Sequence, residues 1–442
     1  MKNAKPITPE LIAKFNEAYE SNPMNQVLAA AASKTALADV AFHQASAKKL
    51  QHTFAIDLHP TAVTSQKASG RCWIFAAMNV LREIVAKNCN MDRMEISQNY
   101  VAFWDKFEKI NYFLESIIDT ADLEVGDRTL DWVLQGLGDG GQWDMIISLV
   151  KKYGIVPISA MPETFQSSNT RSTNQMLNMK LREYAIELRA IVAEGKDPSA
   201  RKEEMLEEMY RALCICFGKP ATVFDFEYVD KDKVYHVDRD LTPQAFFEKY
   251  VGQELDNYVS IINAPTKDKP YYKSYTVKYL GNVVEGSVRY LNIPMDEMKD
   301  LIVKQLKDGE AVWFGSDCGK YGDRTSGVWD MDSFLYGELL GGLTFGLTKE
   351  QRLDYRDSAM NHAMVIMGVN FDKDGVPDRW KIENSWGEDP GNKGYFVMSA
   401  NWFDEFTYQA VINKKHLSPE LLAHLEEEPI ALQPWDPMGS LA

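Results

Sequence analysis

Cysteine is scarce. The chain of 442 residues has five: Cys72, Cys89, Cys214, Cys216 and Cys318. A count that is odd and low excludes a disulfide scaffold and points to a reducing compartment, so a cytoplasmic location is expected. Long apolar runs are also missing. No stretch approaches 18 uninterrupted apolar residues, and no membrane span or membrane partner is expected. The opening MKNAKPITPELIAKFNEAYE has no apolar core of the signal-peptide kind. Positive charge is in deficit, with 48 Lys and Arg against 64 Asp and Glu, a net −16. Such a chain repels phosphate backbones, so no nucleic-acid partner is expected. No internal repeat at solenoid periods is visible.

What is present is an ordinary globular mixture, 45% hydrophobic and 25% charged. Thr8-Pro9-Glu10 opens a capped helix over 8–20. The segment 73–87, WIFAAMNVLREIVAK, is apolar around most of its circumference and predicts a buried helix. Residues 142–153 predict another, stopped by Gly154 and Pro157. Residues 171–217 are rich in Leu, Met, Glu, Lys and Arg and predict a helical hairpin turning at Gly195–Pro198. From about 221 onward, strand-like pieces dominate: ATVFDFEY, YTVKYL, AVWFGSD, MVIMGVNF and RWKIENSW. The last two flank DKDG (372–375), a hairpin turn. The final EPIALQPWDPMGSLA contains Pro429, Pro434 and Pro437 and predicts an extended arm. A chain that runs from helical to β-rich is of the α+β class.

Three patterns imitate chemistry. Gly136-Leu-Gly138-Asp-Gly140-Gly141 fits a dinucleotide fingerprint, but the acid expected about 20 positions on is missing and Glu163 is the nearest. Asp372-x-Asp374 with Glu383 resembles a calcium loop, yet Val376 and Pro377 stand where a ligand and the turn glycine belong. Cys214-x-Cys216 lacks a second pair at metal spacing and reads as thiols buried on a helix. His43, His52, His59, His236, His416 and His424 form no metal-binding cluster. No metal and no cofactor is expected.

One stretch is different: Gln66-Lys67-Ala68-Ser69-Gly70-Arg71-Cys72-Trp73. A cysteine here starts a helix, behind a Ser-Gly turn. Amides at a helix N-terminus favour thiolate over thiol and predict a lowered thiol pKa. Gln66, six residues upstream, offers an amide donor to an oxyanion formed where sulfur attacks. His362 stands at the entry of an apolar strand and Asn384 at the exit of the next. Antiparallel pairing across DKDG brings both to the same end of the hairpin. An Asn carbonyl on one ring nitrogen fixes the tautomer and aims the other at sulfur, and Trp386 can shield that bond from water. A single Cys at a helix start is usually core, and a single His at a strand end is usually incidental. Four compatible roles together favour nucleophilic cysteine catalysis.

Q-x5-C-W, G-G-Q, N-H-A and E-N-S-W-G, in that order, resemble the papain-like cysteine peptidases. The resemblance implies a papain-like core, with a helical subdomain and an antiparallel β subdomain. By motif, it makes Cys72 the nucleophile, His362 the base and acid, Asn384 the orienter and Gln66 the oxyanion donor. Gly140 and Gly141 hold substrate main chain, and Trp386 gives structural support. Departures from the secreted pattern narrow the branch. Ser69 replaces a cysteine, Arg71 replaces a small residue, and 290 positions separate Cys72 from His362, about twice the usual spacing. QKASGRCWIFAAMN, NHAM, ENSWG and WDPMGSLA are similar to the aminopeptidase C and bleomycin hydrolase branch, and the similarity covers essentially the whole chain.

That branch implies a homo-oligomer, a hexamer with its active sites facing an interior channel. It also implies a division into an N-terminal helical segment (1–60), the helical subdomain (61–160), a largely helical insert for assembly (161–300), the β subdomain (301–415) and a C-terminal arm entering the cleft (416–442). The Ala442 carboxylate would then block one side of the cleft and pair with a substrate's free α-ammonium. The expected activity is removal of N-terminal residues from short peptides with a free N-terminus. Three alternatives stay open: an endopeptidase of the same branch, thiol acyltransfer to an amine, and a non-enzymatic scaffold that binds through the helical insert.

Overall fold

The structure, a computed structural model, describes residues 4–59, 62–252 and 254–441. Ala442, expected to supply the blocking carboxylate, lies outside the described residues. The architecture is α+β, with a helical lobe and a sheet lobe facing each other across a cleft.

Helix Cys72–Asn88 runs through the middle of the molecule. Cys72, Trp73, Ile74, Phe75, Ala76, Ala77 and Met78 are all buried, as its all-round apolar pattern requires. Helix Gln98–Asp119, capped by Ser97, lies against it. Helix Trp143–Tyr153 buries Met145, Ile146, Ile147, Leu149 and Val150 and ends at Gly154. Gly154 has φ +70°, and a Cβ there would sit 2.3 Å from the Pro243 backbone, so only glycine fits. The helical hairpin is Arg171–Ala193 and Ser199–Phe217, turning at Gly195. Leu177, Leu181, Tyr184 and Leu188 on one arm, spaced three or four apart, and Met205, Met209, Leu213 and Phe217 on the other, spaced four apart, form buried stripes. Both arms pack on Gln98–Asp119.

The sheet lobe is built around strand His362–Phe371, which pairs antiparallel with Val312–Ser316 on one side and Pro377–Glu383 on the other. Outward from these lie Tyr395–Ser399 and Val328–Trp329 on one flank, and Thr407–Asn413, Tyr258–Ile262 and Tyr290–Asn292 on the other. Most pairings are antiparallel; three are parallel, including Tyr258–Ile262 with Tyr290–Asn292. The first eight residues of His362–Phe371 are buried. Helix Cys72–Asn88 and helix Met295–Lys307 both pack against this strand, so it carries no polar alternation. The segment 161–300 is helical in part. It also holds the separate hairpin Phe224–Val229 with Tyr235–Leu241, and it gives three strands to the main sheet, Tyr258–Ile262, Lys273–Val277 and Tyr290–Asn292.

The two chain ends contrast. Helix Pro9–Glu20, capped by the Thr8 side chain, and helix Met24–Ala32 contain no buried residue. The C-terminal arm forms a short edge strand, Ile430–Leu432, parallel to Lys273–Val277, and then a single 3₁₀ turn at Pro437–Gly439. The arm's prolines allow an edge position and nothing more central.

Candidate active site

Cys72 begins its helix behind Arg71, whose φ/ψ is non-helical. Its Sγ accepts from the Ala363 N–H at 3.4 Å, so the nucleophile candidate touches the strand that opens with His362. His362 Nε2 meets Asn384 Oδ1 at 2.8 Å, and both side chains are buried. The register pairs Val365 with Glu383. Continued past the strand end, it brings the Trp386 region against His362, and the two rings stack with centroids 5.0 Å apart. Gln66 is buried beside them. Its Oε1 accepts from Ser385 Oγ at 2.6 Å and its Nε2 donates to the Ser69 carbonyl at 2.6 Å. An amide nitrogen carries two hydrogens, which leaves one for an oxyanion.

The electrostatics correct one expectation. The helix start predicts a lowered thiol, but burial pushes Cys72 up to about 11, against the amides of Ala363, Trp73 and Cys72 itself; the Asp139 charge adds to the rise. Burial likewise pulls His362 down to about 4; the Asn384 hydrogen bond opposes this and the Arg324 charge reinforces it. In the closed cleft desolvation therefore opposes each charge taken alone.

The glycine segment is held from behind. Asp139 Oδ2 accepts from the Gly70 N–H at 2.9 Å, and Asp139 Oδ1 accepts from Lys106 Nζ at 2.6 Å and Asn174 Nδ2 at 2.8 Å. The Asp139 carbonyl accepts from Trp73 Nε1 at 2.6 Å, and Lys109 donates to the Gly140 carbonyl. Burial alone would raise the Asp139 carboxyl, but Lys106, Asn174 and Thr170 hold it well below the usual range. A Cβ on Gly141 would fall 2.5 Å from the Trp73 ring. Close packing thus accounts for two of the glycines that imitate a dinucleotide fingerprint, Gly141 on Trp73 and Gly136 on Asn178. Arg71, the departure from a small residue, makes a two-pronged contact with Glu163 at 2.8 and 3.1 Å. Glu163, the nearest acid to the false fingerprint, belongs to this pair. Asp372 Oδ1 accepts from the Asp374 and Val376 amides at 2.9 Å, an ordinary turn. Cys214 and Cys216 are half-buried free thiols.

The arm reaches this place. The Gly141 N–H donates to the Leu441 carbonyl at 3.0 Å, and Ser440 Oγ donates to the Met360 carbonyl at 2.8 Å. Met438 and Leu441 are buried, and the Lys269–Asp436 ion pair at 2.9 Å pins the approach. Arm backbone thus occupies the main-chain donor assigned to substrate.

A third group ties the walls together. Arg82, on the Cys72 helix, is bonded to Glu383, the residue before Asn384, and Asn79 Nδ2 donates to the same carboxylate at 3.0 Å. Sequence reasoning missed Asp139, Lys106 and this pair. The available signal was charge on helices whose other faces are apolar: Lys106 and Lys109 on Gln98–Asp119, and Arg82 on Cys72–Asn88.

The profile of the Peptidase C1-like family matches residues 6–439. Aminopeptidase C of Listeria innocua is 48% identical over 438 residues, covering 99% of each chain. Bleomycin hydrolase of Homo sapiens is 38% identical over 449 residues, again covering 99% of each. The crystal structure of PepW from Lactobacillus rhamnosis HN001 is 48% identical, covers all of both chains and superposes with a TM-score of 0.97.

Proposed function

The chain belongs to the Peptidase C1-like family, and from that premise we propose that it is a thiol aminopeptidase that removes N-terminal residues from short peptides. Cys72 sulfur attacks the carbonyl of the substrate's first residue. Its proton passes to His362, so the two charges that burial disfavours singly arise together. Asn384 on Nε2 leaves Nδ1 for the sulfur and the leaving amine. Gln66 and the Cys72 N–H hold the oxyanion. His362 protonates the leaving amine and then activates water to hydrolyse the acyl-enzyme.

The observation that carries the exopeptidase reading is the Leu441 carbonyl on the Gly141 N–H, in the segment packed on Trp73, the residue after Cys72. With this site filled by arm backbone, an extended substrate has room on one side only. In this reading the Ala442 carboxylate receives the α-ammonium, and Gly140 and Gly141 align what main chain remains. The helical insert and N-terminal segment serve a homo-oligomer, a hexamer, and the location is cytoplasmic.

The test is hydrolysis of a fluorogenic aminoacyl amide beside its N-acetylated twin, with Cys72→Ala as the blank. Cleavage of the free-amine form alone is expected, and the blank should be inactive. Cleavage of both forms would transfer the assignment to an endopeptidase. Hydrolysis by the blank would remove Cys72 from the mechanism. Deleting 437–442 should let the wild-type site accept the acetylated twin, and an unchanged preference would refute the arm's role.

A further inference from the structure

The inference rests on the aminopeptidase reading and concerns the other side of the cleft. Once the arm holds the Gly141 side, the leaving fragment must depart over His362, which protonates its amine. Trp386 stacks on His362, and the Arg324 guanidinium stands 4.7 Å from the centre of the Trp386 ring. Arg324 is exposed. Among the described residues it has no carboxylate within 4 Å, whereas nearby Lys320 pairs with Asp357 at 3.1 Å.

The turn that carries Arg324 is fixed. Asp323 Oδ2 accepts from the Ser326 N–H at 2.6 Å, and the Asp323 carbonyl accepts from the Gly327 N–H at 3.0 Å. The Thr325 carbonyl accepts from the Gly391 N–H at 3.2 Å, tying the tip to the loop after Trp386. The adjacent carboxylate of Asp323 is therefore spent on its own turn. An arginine held on the Trp386 ring, with no carboxylate partner among the described residues, in a chain of net charge −16, is available to an anion. Its charge also reaches the imidazole, where it disfavours the protonated form.

We propose that Arg324 binds a carboxylate of the leaving fragment, so that the enzyme favours very short peptides whose second residue ends the chain. In a dipeptide the released amino acid carries its carboxylate two bonds from the amine that His362 protonates. That puts the anion beside Trp386. Binding there would also offset the positive charge next to His362 when the imidazole must hold a proton.

The experiment compares kcat/KM for Leu-Gly, Leu-Gly-amide and Leu-Glu-amide in wild type, Arg324→Met and Arg324→Lys, with the aminoacyl amide as reference. Wild type should prefer Leu-Gly over its amide by about two- to fivefold, the yield of one exposed ion pair. Arg324→Met should bring that ratio to about one, and Arg324→Lys should keep part of it. A preference for Leu-Glu-amide over Leu-Gly-amide that also vanishes in Arg324→Met would show that a side-chain carboxylate is accepted too. Equal wild-type rates on all three dipeptides, or a ratio unmoved by Arg324→Met, overturn the inference and leave the aminopeptidase standing. Failure of wild type on the reference and the dipeptides alike overturns the aminopeptidase reading, and this inference with it.

Discussion

The two walls of the cleft are held by different physics. On the sheet wall, His362 and Asn384 sit at strand ends, and ladder hydrogen bonds with the Val365–Glu383 register set their separation. On the helical wall, Ser69–Arg71 and Asp139–Gly141 are irregular backbone with no ladder. Charged side chains replace it: Asp139 with Lys106 behind Gly70, and Arg71 with Glu163 ahead of Cys72. The sheet wall is thus positioned mainly by ladder pairing, with Arg82 and Asn79 on Glu383 as a reinforcement. The helical wall depends on single side chains, and it should be the more easily broken.

The largest expected effect tests this directly. Asp139→Asn keeps the shape but takes from buried Lys106 its hydrogen-bonded counter-charge, a loss on the order of 3–5 kcal/mol. It also loosens the loops on both sides of the sulfur. We expect a fall in kcat/KM on the order of 100-fold together with a lower unfolding temperature. Because a negative charge near Cys72 is gone, the pH at which iodoacetamide modifies Cys72 should shift downward, which a purely structural lesion would not produce. Near-wild-type turnover would show that the loops hold without the ion pair.

Asn384→Ala should cost less. The strand register survives and Trp386 still stacks on His362, while the hydrogen bonds to His362 Nε2 and from the Ser385 N–H are lost. A single acid–base group contributes about 10²–10⁴-fold, and orientation is part of that, so a fall in kcat of about 10- to 100-fold with little change in KM is expected. A loss as large as that of Cys72→Ala would make the sheet wall as fragile as the other. Arg71→Met should be milder still, about tenfold or less in kcat/KM. Its partner Glu163 keeps 26% of its side chain exposed, so the widowed carboxylate can recover water.

This difference also explains what could be read from the sequence. Strand His362–Phe371, its hairpin partner and the helix behind Cys72 follow from local patterns of apolar residues and turns. The meeting of Cys72 with Ala363 joins positions 291 apart, and only the motif order pointed to it. Asp139 sat inside a glycine pattern that invited a cofactor reading, because sequence spacing does not reveal that the Trp73 ring packs against Gly141. The lowered thiol expected from the helix start was outweighed by burial, a tertiary quantity. YTVKYL anticipated strand Lys273–Val277, but Tyr258–Ile262 and Tyr290–Asn292 matched no predicted strand, because membership of the main sheet is decided by partners such as Thr407–Asn413, far along the chain.

The smallest effect sharpens the comparison within the helical wall itself. Asp144 follows Asp139 by five residues and shifts the other way. Burial raises it to about 7, and the Ser260 hydroxyl at 2.9 Å and the Arg289 charge offset only part of that. A carboxyl raised in the fold holds its proton more tightly than the unfolded chain does. Its contribution is full below pH about 4 and is lost as pH rises through about 7. Asp139 is lowered, so its contribution is full above pH about 4 and is lost in acid. Asp144→Asn should therefore match wild type in thermal stability near pH 4 and gain on it by pH 8, while the amide oxygen still accepts from Ser260. Asp139→Asn should trail wild type at pH 8 and close the gap only below pH 4. Thermal melts of both variants across pH 3–8 give two curves of opposite slope. Curves of the same slope would mean that the ion pair with Lys106 does not separate the two acids, and that burial alone governs this wall.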